Sequence, residues 1–352
     1  MNILLSCIGR RGYIADYFRA HMLSTDKIVG TSNSEWTEGF NACDVSVVMP
    51  DIASASYAES MLDLCDEYKI SGILSFYDPD INVLSNYIEE FRARGVTPIL
   101  PSREVNEICF DKYKTFLFLK SSGFATPETF LEQEKALRAI ETGTLAFPVI
   151  VKPRYGFASI NVFKARNPFE LEVFFHADDN MIIQEMIHEE GYDFDLCCDL
   201  RGRVLSVVPW RKICSRAGET DQSETCDMPE ILSEGARLGQ ELGRRGHVGP
   251  LDADVFLRDG EVVILEMNPR FGGGYPVSQL AGADFPGLIM EMIQGKAPEP
   301  RIGQQRIGTV MIKGYSITGG DKNAYFADRK NGASFVDKRK MAANETLSEG
   351  AL

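Results

Sequence analysis

One segment restricts the architecture more than any other: Leu251–Leu257, then Arg258-Asp259-Gly260, then Glu261–Met267. Two alternating apolar and polar stretches around a short loop read as an antiparallel hairpin, and a three-residue loop with Gly last suits one with a bulge. Pairing Leu257 with Glu261 sets Asp252 opposite Glu266 and Asp254 opposite Ile264. Asp252, Asp254 and Glu266 then share one face, and Ala253, Val255, Leu257, Val263, Leu265 and Met267 the other. The apolar face demands a covering layer. The acidic face gathers carboxylates that repel unless solvated, protonated or bridged by a cation. Asn268 extends that face with an amide oxygen, and Asp254, Glu266 and Asn268 together suit magnesium, a hard cation that keeps waters and bridges phosphates. A solvated strand face is the plain alternative. Pro269-Arg270-Phe271 and Gly272-Gly273-Gly274 follow directly, bringing a cation and bare backbone beside the carboxylates.

The rest of the chain supplies the layers. The first hundred residues alternate strand and helix patterns: Asn2–Cys7, a Gly9–Gly12 turn, a helix carrying Ile14, Phe18 and Met22, then Lys27–Thr31. Val45–Met49, a helix near Ser54–Tyr68, Gly72–Phe76, a helix from about Asp78 to Arg94 and Thr97–Leu100 continue this cadence of a parallel sheet. Pro101-Ser102 closes the lobe. A helix of roughly Arg103–Ser121 follows. Strands at Phe147–Lys152, Asn161–Lys164 and Met181–Gln184, a hairpin of Asp193–Asp199 and Arg203–Pro209, a polar loop through Arg211–Met228 and a helix near Glu230–Arg245 predict a second, mixed or antiparallel lobe. From about Thr318 the chain is polar and weakly periodic, and no fold is assigned to it.

Charge and length narrow the functions. Against 51 Asp+Glu stand 37 Lys+Arg, a net charge of −14 over 352 residues, which argues against a general grip on nucleic acid or an anionic membrane. No run of about 20 apolar residues occurs, and MNILLSCIGRR reverses the order of a secretory signal, so a cytoplasmic protein is expected. Its eight cysteines show no CxxC spacing and read as buried free thiols rather than disulfides or a metal site.

No GxxxxGK[ST] run exists, and Gly9-Arg-Arg-Gly12 lacks the dinucleotide fingerprint's spacing. Lys152 ends an apolar strand before Pro153 and the loop Arg154–Ser159, whose Gly156 and Ser159 suit backbone contacts to phosphate. Lys112 opens a helix, where a cation opposes the helix dipole and so points toward a ligand. Gln184, Glu185 and Ile187 lie where a strand gives way to the next at Gly191-Tyr192-Asp193, a connection able to meet a base and ribose hydroxyls. Singly, each is an ordinary strand end or loop.

Their order along the chain is distinctive. Asp111-Lys112, Val151-Lys152-Pro153 with its Gly/Ser loop, Gln184-Glu185, Gly191-Tyr192-Asp193, Asp254 and Glu266-Met267-Asn268-Pro269-Arg270 together resemble the ATP-grasp superfamily, over about residues 1 to 300. ILLSCIGRRGY, Arg216–Thr220 and NPRFGGGYPVSQLAGA are similar to stand-alone proteins like the carbamoyl phosphate synthase large subunit. The resemblance implies an α/β fold: a Rossmann-like, parallel-sheet pre-ATP-grasp domain over 1–101 and a two-subdomain α+β ATP-grasp domain over 102–300. A flexible lid would occupy about 115–185, and a C-terminal strand and polar tail 301–352. It implies Lys112 and Lys152 on the nucleotide phosphates, the Gly156 and Ser159 loop over them, Gln184, Glu185 and Ile187 at adenine, and Asp193 at the ribose. Asp254, Glu266 and Asn268 would hold magnesium, with manganese an acceptable substitute, and Arg270 would stabilise the transferred phosphoryl group. Asp193 stands where a longer Glu is usual, and the loop carries one glycine where relatives carry two or three. Arg211, Lys212, Arg216 and Gly273 are candidate substrate contacts.

The activity implied is ADP-forming ligation of a small carboxylic or amino acid to an amine through an acyl phosphate. A kinase acting on bicarbonate or carbamate and a non-catalytic nucleotide-binding regulator are the alternatives. The partners expected are small carboxylate and amine substrates, without nucleic acid or membrane, and a homodimer is compatible with the sequence.

Overall fold

The structure is a computed structural model and describes residues 1–156, 160–216, 219–314, 317–318 and 322–331. Two compact units emerge: one holds Met1–Arg103, Phe285–Pro298 and the described residues beyond Gly314; the other holds Glu104–Asp284 and Glu299–Gly314.

The first unit contains strands β1 (Asn2–Ser6), β2 (Ile28–Ser32), β3 (Val45–Val48), β4 (Ile70–Ser75) and β5 (Thr97–Pro98), alternating with helices α1 (Gly12–Arg19), α2 (Tyr57–Glu67), α3 (Asp78–Leu84) and α4 (Ile88–Ala93). Their pairings are parallel, as short strands linked by helical crossovers require. Leu4, Val29, Val47, Ile73, Met61 and Phe91 pack in its core. The predicted helix over Asp78–Arg94 is two helices, broken between Leu84 and Ile88.

The second unit begins with α5 (Arg103–Phe110) and α6 (Lys112–Ser121) rather than one long helix. Asp111 interrupts it: its carboxylate accepts hydrogen bonds from the backbone N–H groups of Tyr113 and Lys114, capping a new helix. Strands β6 (Thr129–Phe130), β7 (Val149–Pro153), β8 (Phe163–Ala165) and β9 (Met181–Glu185) form an antiparallel sheet in the order β6-β9-β7-β8. Against it pack α7 (Gln133–Glu141) and α8 (Pro168–Phe175), through Ala136, Leu137, Leu171 and Phe174.

The larger sheet follows the order β14-β13-β10-β11-β12-β15. Its strands are β10 (Gly191–Cys198), β11 (Val204–Arg216), β12 (Glu219–Thr225), β13 (Gly249–Arg258), β14 (Glu261–Asn268) and β15 (Val310–Ile312). Every pairing is antiparallel. The polar stretch 211–228, expected as a loop, thus carries the end of β11 and all of β12. Its residues read as loop because the outer part of β11 is solvated from Lys212 to Arg216, and apolar alternation shows only where a face is buried. One face of the sheet packs Phe194, Leu196, Val207, Ala253, Val255, Ile264 and Met267 against Cys109, Leu119 and, from α9 (Pro229–Gly243), Ile231, Leu238 and Leu242. The opposite face is left for chemistry.

The remaining helices are α10 (Pro276–Leu280), α11 (Phe285–Ile293) and α12 (Lys322–Phe326). Within the segment given no fold, α12 leads to β16 (Arg329–Asn331), which pairs in parallel with β3, Arg329 opposite Ser46. Three residues are too few to show a period. Among the described residues no helix is long and apolar enough to cross a membrane.

Candidate active site

The hairpin that dominates the sequence forms in a different register. Arg258 pairs with Glu261 and Leu257 with Val262, around a two-residue turn in which Asp259 and Gly260 both have positive φ, 50° and 85°. Asp-Gly favours this turn because it accommodates φ > 0 at both positions and matches the twist of the strands. The register shifts between Asp254 and Val255: Val255 faces Ile264, while Asp254 faces Glu266 and Asp252 faces Asn268. Leu265 absorbs the irregularity, so Val262 and Ile264 join Met267 in the core packed against α9, while Val263 is buried outside that cluster and Leu265 is half-buried. The slip and the bulge cancel for the acidic residues: Asp252, Asp254, Glu266 and Asn268 lie on one face.

β10 doubles that face. Asp193 pairs with Asp254 and Asp195 with Asp252, so four aspartates form a two-by-two array. Lys212 of β11 reaches into it, its Nζ 2.6 Å from Asp254 Oδ1 and 3.0 Å from Asp193 Oδ2. Burial, then the adjacent Asp254 charge, push the Asp193 carboxyl well above the usual range. Burial opposes the charge of Asp254, but Lys212 and a hydrogen bond from Asp193 hold it below its ordinary value. The Lys212 ammonium, disfavoured by burial, is nevertheless held charged by Asp254 and Asp193.

Asp195 is the second buried acid. It accepts hydrogen bonds from Trp210 Nε1 at 2.9 Å and Ser278 Oγ at 2.5 Å, tying β10, β11 and α10 together. Burial and the neighbouring Asp252 push its carboxyl up to about 8, so it is protonated at neutral pH. An amide can take that place. Asp195→Asn is therefore expected to keep near-wild-type stability at pH 7, whereas Asp195→Ala, which orphans two buried donors, costs about 1–3 kcal/mol for each, read from denaturant midpoints.

Positive groups come from the other elements. Lys112, first residue of α6, donates from Nζ to the Gly156 carbonyl at 2.6 Å and lies 3.3 Å from Glu266 Oε1. Its placement is reinforced by Asp111, whose carboxylate also receives Arg154 in a bidentate pair at 2.7 and 2.6 Å. Lys152 on β7 is buried. Burial lowers its ammonium to about 8, against the attraction of Glu266 and with the repulsion of Lys112. Arg270 Nη1 stands 3.8 Å from Asp252 Oδ2. Lys112, Lys152, Lys212 and Arg270 thus meet the acidic face formed by Asp254, Glu266 and Asn268. Among the described residues no three His, Cys, Asp or Glu side chains converge as a ready-made metal centre. Two carboxylates and an amide suit a cation that completes its shell with phosphate oxygens and water.

Other expected contacts lie elsewhere. The Gln184 carboxamide is buried and donates to Thr129 Oγ1 at 2.9 Å. The Glu185 carboxylate accepts from Arg258 at 2.7 Å and from the Glu128 backbone N–H at 3.2 Å, so its side chain closes a contact between the small sheet and the hairpin. Ile187 is half-buried in the connection after β9. Arg211 pairs with Glu224 at 3.2 Å and Glu190 at 3.5 Å, and Arg216 with Asp221 at 3.3 Å. Ser159 lies outside the described residues. Asp195 and Lys313 read as single polar residues in the sequence and Glu219 only as part of the Arg216–Thr220 stretch, although the Asp-Phe-Asp and Asp-Ala-Asp spacings at 193–195 and 252–254 are a readable sign of two acidic strand faces.

Comparison with known proteins identifies the two domains. Residues 3–99 match the PylC-like N-terminal domain and residues 109–274 the ATP-grasp domain. The carbamoyl phosphate synthase large chain of Thermotoga sp. (strain RQ2) is 24% identical over 264 residues, 66% of this chain and 23% of that protein; the chain spans about a quarter of that relative's length. The coenzyme γ-F420-2:α-L-glutamate ligase of Methanocaldococcus jannaschii is 30% identical over 213 residues, 57% of this chain and 72% of that protein. Among solved structures, the biotin carboxylase domain of Hydrogenobacter thermophilus 2-oxoglutarate carboxylase, in complex with MgADP and bicarbonate, superposes with a TM-score of 0.70 at 17% identity, covering 88% of this chain and 73% of that one. A parallel-sheet N-terminal domain followed by two antiparallel sheets, matched in order by the PylC-like N-terminal and ATP-grasp models, together with the 30% identity to the glutamate ligase, places the chain in the ATP-grasp family.

Proposed function

We propose that the protein is an ATP-dependent, ADP-forming ligase that joins a carboxylic or amino acid to an amine. The observation that carries this reading is the meeting of Lys112 and Arg270 with the acidic hairpin, Lys112 beside Glu266 and Arg270 beside Asp252. Lys112 and Lys152 bind the nucleotide phosphates, and Asp193 and the backbone after β9 receive the nucleoside. Asp254, Glu266 and Asn268 would hold magnesium, with manganese an acceptable replacement, and the bound cation supplies charge neutralisation at the phosphoryl oxygens.

A carboxylate oxygen of the substrate attacks the γ-phosphorus, the bond to the β,γ-bridging oxygen breaks, and ADP leaves. The amine lone pair then attacks the acyl carbon, the carbon–oxygen bond to phosphate breaks, phosphate departs and the amine loses a proton. No protein nucleophile takes part. Lys152 and Arg270 offset negative charge on the transferring group, and catalysis rests on positioning and electrostatics.

The test is ADP release with ATP, magnesium and a panel of carboxylic acids and amines, followed by product masses. Release requiring both an acid and an amine, with a condensed product, supports the ligase. The similarity to the carbamoyl phosphate synthase large chain favours one second reading, phosphorylation of bicarbonate or carbamate, which predicts bicarbonate-dependent release without a condensed product.

A further inference from the structure

Lys212 has no part in the reaction as drawn, yet it bridges the acidic face. Asp193 faces Trp210 across β10 and β11, and Lys212, two residues further along β11, projects on the same side. Its backbone is fixed by pairing with Ser223 of β12. From there Nζ reaches Asp254 Oδ1 at 2.6 Å and Asp193 Oδ2 at 3.0 Å, so one ammonium joins carboxylates from two neighbouring strands, one of them a proposed magnesium ligand. The carboxylate it holds is not sealed off: Asp254 is 30% exposed and Lys212 37%, open enough for a hydrated ion to approach. Magnesium binds oxygen at 2.0–2.1 Å, so an ion on Asp254 Oδ1 would lie within about 5 Å of this Nζ. At that range an ammonium repels a dication and competes with it for the same oxygen. The other acids of the face also have cations beside them, Lys112 at 3.3 Å from Glu266 and Arg270 at 3.8 Å from Asp252. Those two cations are proposed to act on the nucleotide and the transferred group, whereas Lys212 is committed to two carboxylates at once.

We infer that Lys212 is an internal counterion that keeps the acidic face from taking a free divalent cation, so that the metal enters as its nucleotide complex. A nucleotide triphosphate brings several negative charges of its own, which outweigh one ammonium; a bare ion brings none. Lys212 thereby sets the order of binding, and free metal does not compete for the carboxylates before ATP arrives. The inference rests on the assignment of Asp254 to the metal within the ligase reading, but it concerns binding without nucleotide and is independent of turnover. Without the ammonium, Asp254 and Asp193 stand side by side with no charge between them, an arrangement that a divalent ion relieves.

The experiment measures Mn2+ binding to the full-length protein by electron paramagnetic resonance, first with the metal alone and then with a non-hydrolysable ATP analogue. The proteins are wild type, Lys212→Met, Lys212→Gln, Lys212→Arg and the double variant Lys212→Met with Asp254→Asn. With the metal alone, Lys212→Met and Lys212→Gln are expected to bind Mn2+ at least about tenfold more tightly than wild type. Lys212→Arg, which keeps the charge, binds it no more tightly than wild type, and the double variant loses the gain. Lys212→Gln retains a hydrogen-bond donor for Asp254 and carries the result if Lys212→Met fails to fold. Uncharged variants with wild-type affinity for the metal alone, a gain shared by Lys212→Arg, or a gain that survives Asp254→Asn overturns the inference; Mn2+ brought to the wild type by the analogue would then leave the metal assignment standing. Absence of Mn2+ binding in every protein, with the analogue as well as without it, overturns the metal assignment and the inference together. A gain that requires Asp254, in a protein whose wild type releases no ADP with any acid and amine, upholds the inference while the ligase reading falls.

Discussion

Glu266→Ala and Arg270→Ala are each expected to lower the rate of ADP formation by roughly a hundredfold to a thousandfold, the effect of removing one preorganised electrostatic contact worth about 2.7–4 kcal/mol at a transition state. The two losses have different origins. Glu266 faces Asp254 across the hairpin and pairs with Lys112, so its loss removes a cation ligand and loosens a phosphate-binding lysine together. Arg270 meets the aspartate array at Asp252, 3.8 Å away, and in the proposed reaction its removal falls chiefly on the transferring group. Steady-state ADP assays across a magnesium titration separate them: Glu266→Ala is partly rescued by raising the magnesium concentration, and Arg270→Ala is not. Turnover near wild type in either protein would remove that residue from the assignment.

Lys152→Met is expected to move two measurements in opposite directions. Burial depresses the ammonium from 10.5 to about 8, so the charged form is disfavoured in the unliganded fold. Replacing it with an uncharged side chain of similar length stabilises that fold by up to about 3 kcal/mol at pH 7, while ATP affinity falls by roughly tenfold to a hundredfold for loss of a charge-assisted contact. The pH dependence has a definite sign. Between about 8 and 10.5 the unfolded chain holds a proton that the native lysine has lost, so this group makes wild-type stability rise with pH across that window, and Lys152→Met removes the rise. A triphosphate favours the ammonium, so binding near pH 8 draws a proton onto Lys152. Calorimetry in two buffers of different ionisation enthalpy reads that uptake, and equal uptake by wild type and Lys152→Met would sink the assignment.

Several elements are legible from residues alone, and their failures are instructive. The parallel cadence of residues 1–100 appears because buried strands and amphipathic helices carry strong, different periods. Asp111 was read only as the neighbour of Lys112, yet its capping role divides the predicted helix and, with Arg154, fixes where Lys112 points. The stretch 211–228 reads as loop because the end of β11 is solvated and the buried positions of β12, Thr220, Ser223 and Thr225, are polar, so neither strand shows apolar alternation. The hairpin register slips by one because Arg258 joins the strand instead of the turn. Even so, the bulge returns Asp254 and Glu266 to the same face.

What the residues alone determine is chemical inventory and periodicity: one apolar and one acidic side to a ribbon, two lysines at element ends, a glycine run after an arginine. Those follow from local rules, since side-chain alternation and turn preference act over a few residues. Only the tertiary structure decides which acids share charge. The pairing of β10 with β13 sets Asp193 against Asp254 and Asp195 against Asp252, and burial then raises the Asp193 carboxyl while Lys212 holds that of Asp254 low. That outcome depends on desolvation and on neighbours about sixty residues apart in sequence, and no local pattern encodes either.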